Sequence, residues 1–180
     1  MLLAILMALT TGFSAMLPAF AEEGNEAKIG ETEYATLEAA IDAAESGDTI
    51  TLLKNLTWTV KEKKINKEIV IDGGTEKYRI TSTVGYLFDV YRNITLKNLT
   101  MDTKNGFRFK NTVGETSVAT IENVEWTIGA GLLVNIQGAQ NVAQTLNVIN
   151  STITKLSGNG EPLIANYNTK SGIDVTINIE

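Results

Sequence analysis

The sequence predicts an all-β chain wound as a parallel β-helix of about five coils, its first end covered by a single α-helix. Three observations carry this expectation. The first is a recurring phrase. Ile94 to Asp102 (ITLKNLTMD), Ala119 to Thr127 (ATIENVEWT) and Leu146 to Thr154 (LNVINSTIT) each consist of a short alternating apolar run, an Asn and a second such run. The second is its period: Asn98 to Asn123 is 25 residues and Asn123 to Asn150 is 27, and Ile69 to Gly73 (IVIDG) sits 25 residues earlier with Gly in the Asn place. The third is a further strand-like run in every repeat, at Tyr86 to Val90, Phe107 to Asn111, Leu132 to Ile136 and Leu163 to Tyr167, the first three directly after Gly85, Gly106 and Gly131. Three strands in roughly 25 residues is the arithmetic of one coil of a parallel solenoid.

In chain order, Met1 to Ala21 is apolar and uncharged and ends in Ala19-Phe20-Ala21 just before Glu22 and Glu23. That is the pattern of a secretory signal peptide with a small-residue cleavage site, so the remainder is expected to be secreted or held at a cell surface. A membrane span fits less well, because Pro18 and the small residues interrupt a short run, and none is expected in the mature chain. Residues 22–28 read as a flexible lead and 29–180 as the solenoid domain. Within it the helix is expected over Thr36 to Ser46, with Thr36 as N-cap, Glu38 and Asp42 toward the positive end, and Gly47 as the left-handed stop. Leu37, Ala40, Ile41 and Ala44 share one face, so the helix has a single surface to cover. From Asp48 onward alternation replaces the helical period and β-branched residues dominate. The last run, Val175 to Ile179, starts another strand without its corner and partner strand, so the domain is expected to be C-terminally incomplete, an N-terminal fragment, or to continue its stack through a partner; with Ile173 it leaves an apolar edge expected to favour end-to-end self-association.

Stacking explains the residue types. Inward positions pile on their equivalents one coil above, which predicts columns of Tyr86 with Phe107, Phe88 with Phe109, and Ile94 with Ala119 and Leu146. Trp58 and Trp126 are expected inward as well. Asn tolerates left-handed backbone at a sharp corner and its amide can bond to the next Asn. Asn98, Asn123 and Asn150 are therefore expected as a largely buried ladder, with Asn55 an irregular start. Asn55-Leu-Thr, Asn93-Ile-Thr, Asn98-Leu-Thr and Asn150-Ser-Thr match the glycosylation acceptor pattern, but strand and corner chemistry account for the matches.

The 15 basic and 21 acidic residues all follow Ala21 and give a net charge of -6, which argues against a nucleic-acid partner. The one dense basic stretch, Lys61 to Lys67, contains Glu62 and reads as a solvated turn. There is no Cys, so no disulfide holds the fold and a continuous core must do so. There is no His either, which removes the commonest general base and metal ligand.

The run from Ile29 to Leu53, IGETEYATLEAAIDAAESGDTITLL, resembles the N-terminal capping segment of right-handed β-helix proteins of the pectate-lyase-like superfamily, in particular those of secreted and cell-surface proteins of Gram-positive bacteria. The resemblance covers nearly all of the chain after the leader and implies a right-handed coil. It is specific for fold and weak for activity, since that superfamily includes lyases, hydrolases and adhesin-like modules. Its polysaccharide lyases use calcium held by several carboxylates, with an Arg or Lys as the base. The outward positions of the first strand column read as Leu87, Arg108, Leu133 and Ile164, alternating with Asp89, Lys110, Asn135 and Asn166. Asp89, Arg108 and Lys110 are the lyase candidates in this column, although one carboxylate is too few for a calcium site. An ion pair of Asp89 with Lys110 on a solvated face is the plainer reading. The hydrolases of the superfamily need clustered Asp residues with a His, which this chain lacks.

The expectation is thus an exported, non-catalytic bacterial surface module, adhesin-like or glycan-contacting, with no cofactor; calcium would enter only with lyase activity on an acidic polysaccharide. A structural stalk within a larger surface protein is the other alternative. Partners would be a polysaccharide or a host or cell-surface glycan, met by Tyr91, Asn135 and Asn166 and by the loops 103–105, 112–117, 138–143 and 157–161.

Overall fold

The computed structural model describes residues 24–110, 112, 115–137, 142–156, 162–166 and 173–180; the expected leader lies outside these. The strands are β1 (Ala27–Ile29), β2 (Thr32–Tyr34), β3 (Asp48–Leu52), β4 (Leu56–Thr57), β5 (Lys63–Ile65), β6 (Ile69–Asp72), β7 (Arg79–Ser82), β8 (Phe88–Val90) and β9 (Ile94–Lys97). They continue as β10 (Thr100–Thr103), β11 (Phe107–Phe109), β12 (Ser117–Glu122), β13 (Glu125–Ile128), β14 (Val134–Ile136), β15 (Val142–Ile149), β16 (Thr152–Lys155), β17 (Ile164–Asn166) and β18 (Ile173–Ile179). Among the described residues one helix, α1 (Leu37–Ala43), stands with them.

Every third strand stacks on its equivalent. Sheet A has 8 strands in the order β18-β15-β12-β9-β6-β3-β1-β2, sheet B 5 in the order β16-β13-β10-β7-β4, and sheet C 5 in the order β17-β14-β11-β8-β5. All neighbours are parallel except β1, which is antiparallel to both β2 and β3. Ile94 to Lys97 lies hydrogen-bonded in parallel against Ala119 to Glu122, as the repeat requires. The molecule is a β-solenoid of about 4 turns, fewer than the five coils expected. Each smaller sheet contains 5 strand levels, but the first is irregular, with β4 cut to two residues.

The core runs up the middle as columns. In sheet A, Ile69, Ile94, Ala119 and Leu146 stack, beside Ile50, Ile71, Leu96, Ile121 and Val148. All of these are buried, and each fully buried aliphatic side chain contributes about 1.5–3 kcal/mol. Trp126 and Trp58 are inward as expected, 1% and 4% exposed. The Phe107 ring packs 6.4 Å from Trp126 and the Phe88 ring 5.6 Å from Trp58.

In sheet C the register differs from expectation by two residues. Phe107 pairs with Phe88 and Phe109 with Val90, so Tyr86 does not stack on Phe107 nor Phe88 on Phe109. The three glycines that suggested the alignment are not equivalent. Gly106 is hydrogen-bonded between levels, its N–H to Leu132 O at 2.8 Å and its carbonyl accepting from Leu87 N at 2.7 Å. A Cβ there would meet Leu133 O at 2.1 Å. Gly106 thus sits one residue before its strand, whereas Gly85 and Gly131 each sit three before theirs. Leu87 and Leu133, expected outward, are each 1% exposed.

The helix is shorter than Thr36 to Ser46. Thr36 is its N-cap as expected, accepting from Ala39 N at 3.1 Å. It stops at Ala44 because a turn takes over: Glu45 N donates to Asp48 Oδ2 at 2.7 Å and Asp48 N to Glu45 O at 3.2 Å. Gly47, at φ 99, serves that turn instead of the helix end. Leu37, Ala40 and Ile41 face the core, and Lys63 ties the outer side to the solenoid through Asp42 at 2.7 Å and Glu38 at 3.1 Å. The chain also joins the fold before residue 29, since Ala27 in β1 is fully buried.

Candidate functional site

The middle residues of the sheet C strands form one outward column: Lys64, Asp89, Arg108, Asn135 and Ala165. Strand alternation puts Arg108 there, because Phe107 and Phe109 on either side go inward. The structure brings Asp89 and Arg108 together. Arg108 donates through Nε to Asp89 Oδ1 at 2.7 Å and through Nη2 to Asp89 Oδ2 at 2.9 Å, a bidentate pair. The same Nη2 lies 2.7 Å from Glu62 Oε2, and the guanidinium sits 5.2 Å from the centre of the Tyr86 ring. Asn135 Nδ2 donates to Tyr86 Oη at 2.9 Å. Burial disfavours the guanidinium charge, but the hydrogen bonds to Asp89 and Glu62 and their charges outweigh it and hold the Arg108 pKa above its ordinary value.

This column is not the solvated face the sequence suggested. Asp89 is 9% and Asn135 5% exposed, and Asn135 Oδ1 is buried without a hydrogen-bond partner among the described residues. Lys110 is not the partner of Asp89. It lies beyond β11, its N–H bonding to Val90 O, because the register brings Arg108 opposite Asp89. Tyr91 is half-buried with Lys64 Nζ 4.8 Å from its ring centre. Asn166 pairs with Ile136 at the last level, and its side chain lies outside the described residues, as do most of loops 138–143 and 157–161. Glu62 and Tyr86 were not legible as members of this cluster. Glu62 belongs to the basic stretch before β5 and adopts φ 56, while Tyr86 precedes its strand and was assigned to the core.

The corner after sheet A shows the Asn feature in a modified form. Asn98, Asn123 and Asn150 adopt φ 51, 53 and 47, the left-handed geometry expected of them. Asn123 Nδ2 donates to Asn98 Oδ1 at 2.7 Å, and Asn98 Nδ2 donates to Asp72 Oδ1 at 2.9 Å. The first rung is thus Asp72, with Gly74 rather than Gly73 at positive φ. The side chains are not largely buried: Asn98 and Asn123 are half-buried and Asn150 is exposed, because the corner faces solvent. Asn55 is no rung, its side chain accepting instead from Arg79 N at 2.7 Å.

Sheet B carries an open regular face. Thr57, Thr81, Asp102, Thr127 and Thr154 form one in-register outward row, and Arg79, Thr100, Glu125 and Thr152 another. All nine are half-buried or exposed. Levels repeat at about 4.8 Å, so hydroxyls and charges recur at that spacing. Thr57 Oγ1 and Thr81 Oγ1 are 3.1 Å apart, and Arg79 pairs with Asp102. A groove lined by Ser82, Thr83, Asp102, Thr127 and the exposed Leu156 runs along one side, and a second by Asn55, Thr57, Arg79 and Thr81 lies at the first levels. The sequence carried a signal for this face in the pair of polar positions after each corner, T-x-D at 100–102 and T-x-T at 152–154.

Among the described residues no group of three or more His, Cys, Asp or Glu is placed to hold a metal, and no helix is long and apolar enough to cross a membrane. Comparison with protein-family models, with curated proteins and with solved structures gives no match.

Proposed function

We propose that this chain is an exported, non-catalytic surface module that contacts glycans, adhesin-like in role. The observation that carries the reading is the sheet B face, where hydroxyl, carboxylate and guanidinium groups recur level by level beside two grooves. Such rows suit a polymer whose hydroxyls repeat along the solenoid axis. Two of the lyase candidates, Asp89 and Arg108, support this reading by what they are bound to. A base must shed its proton, and Arg108 is held protonated between Asp89 and Glu62.

Binding of the full chain to immobilised neutral and uronate polysaccharides tests the proposal. Retention that falls when Thr81, Asp102 and Thr127 are replaced together by Ala is the expected result. Incubation with polygalacturonate and calcium should give no unsaturated product. Product that vanishes in Arg108→Ala or Lys110→Ala would replace this reading by the lyase one, and no retention on any glycan would leave the stalk.

A further inference from the structure

We infer that the corner groove between sheet C and sheet A is a second binding site, apart from the sheet B face, and that it takes one neutral sugar residue. The groove holds about 310 Å³, at the lower end of the range for small-ligand sites, and lies where the turns leading into β6, β9 and β12 stack beside the end of α1. Its lining runs from Ser46 to Thr116, so neither end of the chain forms it. Backbone bonds hold its walls. Glu68 N donates to Ser46 Oγ at 3.2 Å, Gly47 N to Glu68 O at 2.7 Å, Ile69 N to Asn93 O at 3.2 Å and Val118 N to Asn93 Oδ1 at 2.9 Å, which ties the turns and the helix end across levels. Polar groups are left over. Asn93 Nδ2, the Asn66 amide and the Glu68 carboxylate have no partner among the described residues, and Asn66 and Glu68 are exposed.

The charges decide what fits. Arg92 Nη2 is 2.6 Å from Glu115 Oε1, and Lys67 Nζ donates to the helix-end carbonyls of Asp42, at 2.9 Å, and of Ala44. Both cations are thus already engaged, and an anion entering the groove would also meet the Glu68 carboxylate. A cation would meet Lys67 and Arg92. The ligand that suits these walls is neutral and both donates and accepts hydrogen bonds at closely spaced points. Adjacent sugar hydroxyls do this, donating to the two oxygens of one carboxylate while accepting from amide N–H groups and from the guanidinium N–H groups that Glu115 leaves free.

Titration of the isotope-labelled full chain with the methyl glycosides of glucose, galactose and N-acetylglucosamine, followed by amide NMR, tests the site. The expected result is saturable movement of the Asn66 and Asn93 side-chain amide signals with at least one glycoside in the millimolar range, weakened by about tenfold or more in Glu68→Ala. Glu68 is exposed and its carboxylate has no partner to lose among the described residues, so the circular dichroism of that variant should be unchanged. The chain with Thr81, Asp102 and Thr127 all replaced by Ala should respond as the unmodified chain does, which separates this site from the sheet B face. No movement with any of the three glycosides, movement indifferent to Glu68→Ala, or movement lost in the sheet B variant would each overturn the inference. Tighter binding of glucuronate or inorganic phosphate than of the neutral glycosides would overturn it too.

Discussion

Arg108 has its charge divided among Asp89, Glu62 and the face of Tyr86, with the Arg108 and Asp89 side chains largely buried and Glu62 exposed. Removing Asp89 takes away the bidentate partner and leaves the largely buried guanidinium with the more exposed Glu62. Asp89→Ala should therefore cost about 1–3 kcal/mol in denaturant unfolding, while Lys110→Ala, which breaks no such pair among the described residues, should stay within about 0.5 kcal/mol. At the corner, Asn123→Ala loses both the bond to Asn98 and the residue type that accepts φ 53, whereas Asn123→Gly loses only the bond. Ala is expected to be the worse substitution by about 1 kcal/mol, read from the two unfolding curves. Asp72 is the titrating rung. Burial raises its pKa, but bonds from Asn98 Nδ2 and Gly74 N–H, with Lys97, outweigh this and hold it below the ordinary carboxyl value. A lowered folded pKa means that its stabilisation is present above the unfolded value of about 3.9 and is lost as pH falls through the folded one. Asp72→Asn should flatten the acid limb of the stability curve, and an unchanged limb would remove Asp72 from this role.

At the scale of elements, legibility followed period. The strands on either side of each Asn corner were readable because alternation and the corner residue agree, and the register of β9 on β12 is the one their sequences imply. The N-terminus of α1 was readable from Thr36, but its end was not, because the bond from Glu45 N to Asp48 Oδ2 is a competing local structure with no signal in the helical period. Sheet C was misaligned because a Gly before a strand marks a close approach, and which approach depends on the level above. Gly106 illustrates the cost of filling that space. With Leu133 O at 2.1 Å from a built Cβ, the backbones of β11 and β14 must part, so Gly106→Ala should destabilise by about 2–4 kcal/mol in thermal or denaturant melts. Gly30, whose added Cβ meets nothing within 4 Å, is the contrasting position where only its φ of 56 resists substitution.

For the whole molecule, the architecture could be read and the closing of the sheet C column could not. Repetition announces stacking, since identical positions must meet one level apart. Exposure is set by what lies over a face, and Asp89 and Asn135 look as polar in the sequence as Thr81 and Asp102 do. A stack in which each level touches only its neighbours also grades stability along the axis. Amide hydrogen exchange should be slowest in β9 and β12 and faster in the two-residue edge strand β4, and uniform protection would mean that the levels open together.

The spacing between paired strands has a consequence in time. Ile94 meets Ala119 across 25 residues, and the preceding and following levels meet across nearly the same length of chain. Each closure therefore carries almost the same entropic cost, with no long-range search that must wait for the far end of the polypeptide. A chain emerging from its N-terminus has the helix and the β1–β2 reversal in hand before any repeat appears, so each new coil arrives at a surface already shaped to template it. Sequence order and assembly order are then expected to coincide during synthesis.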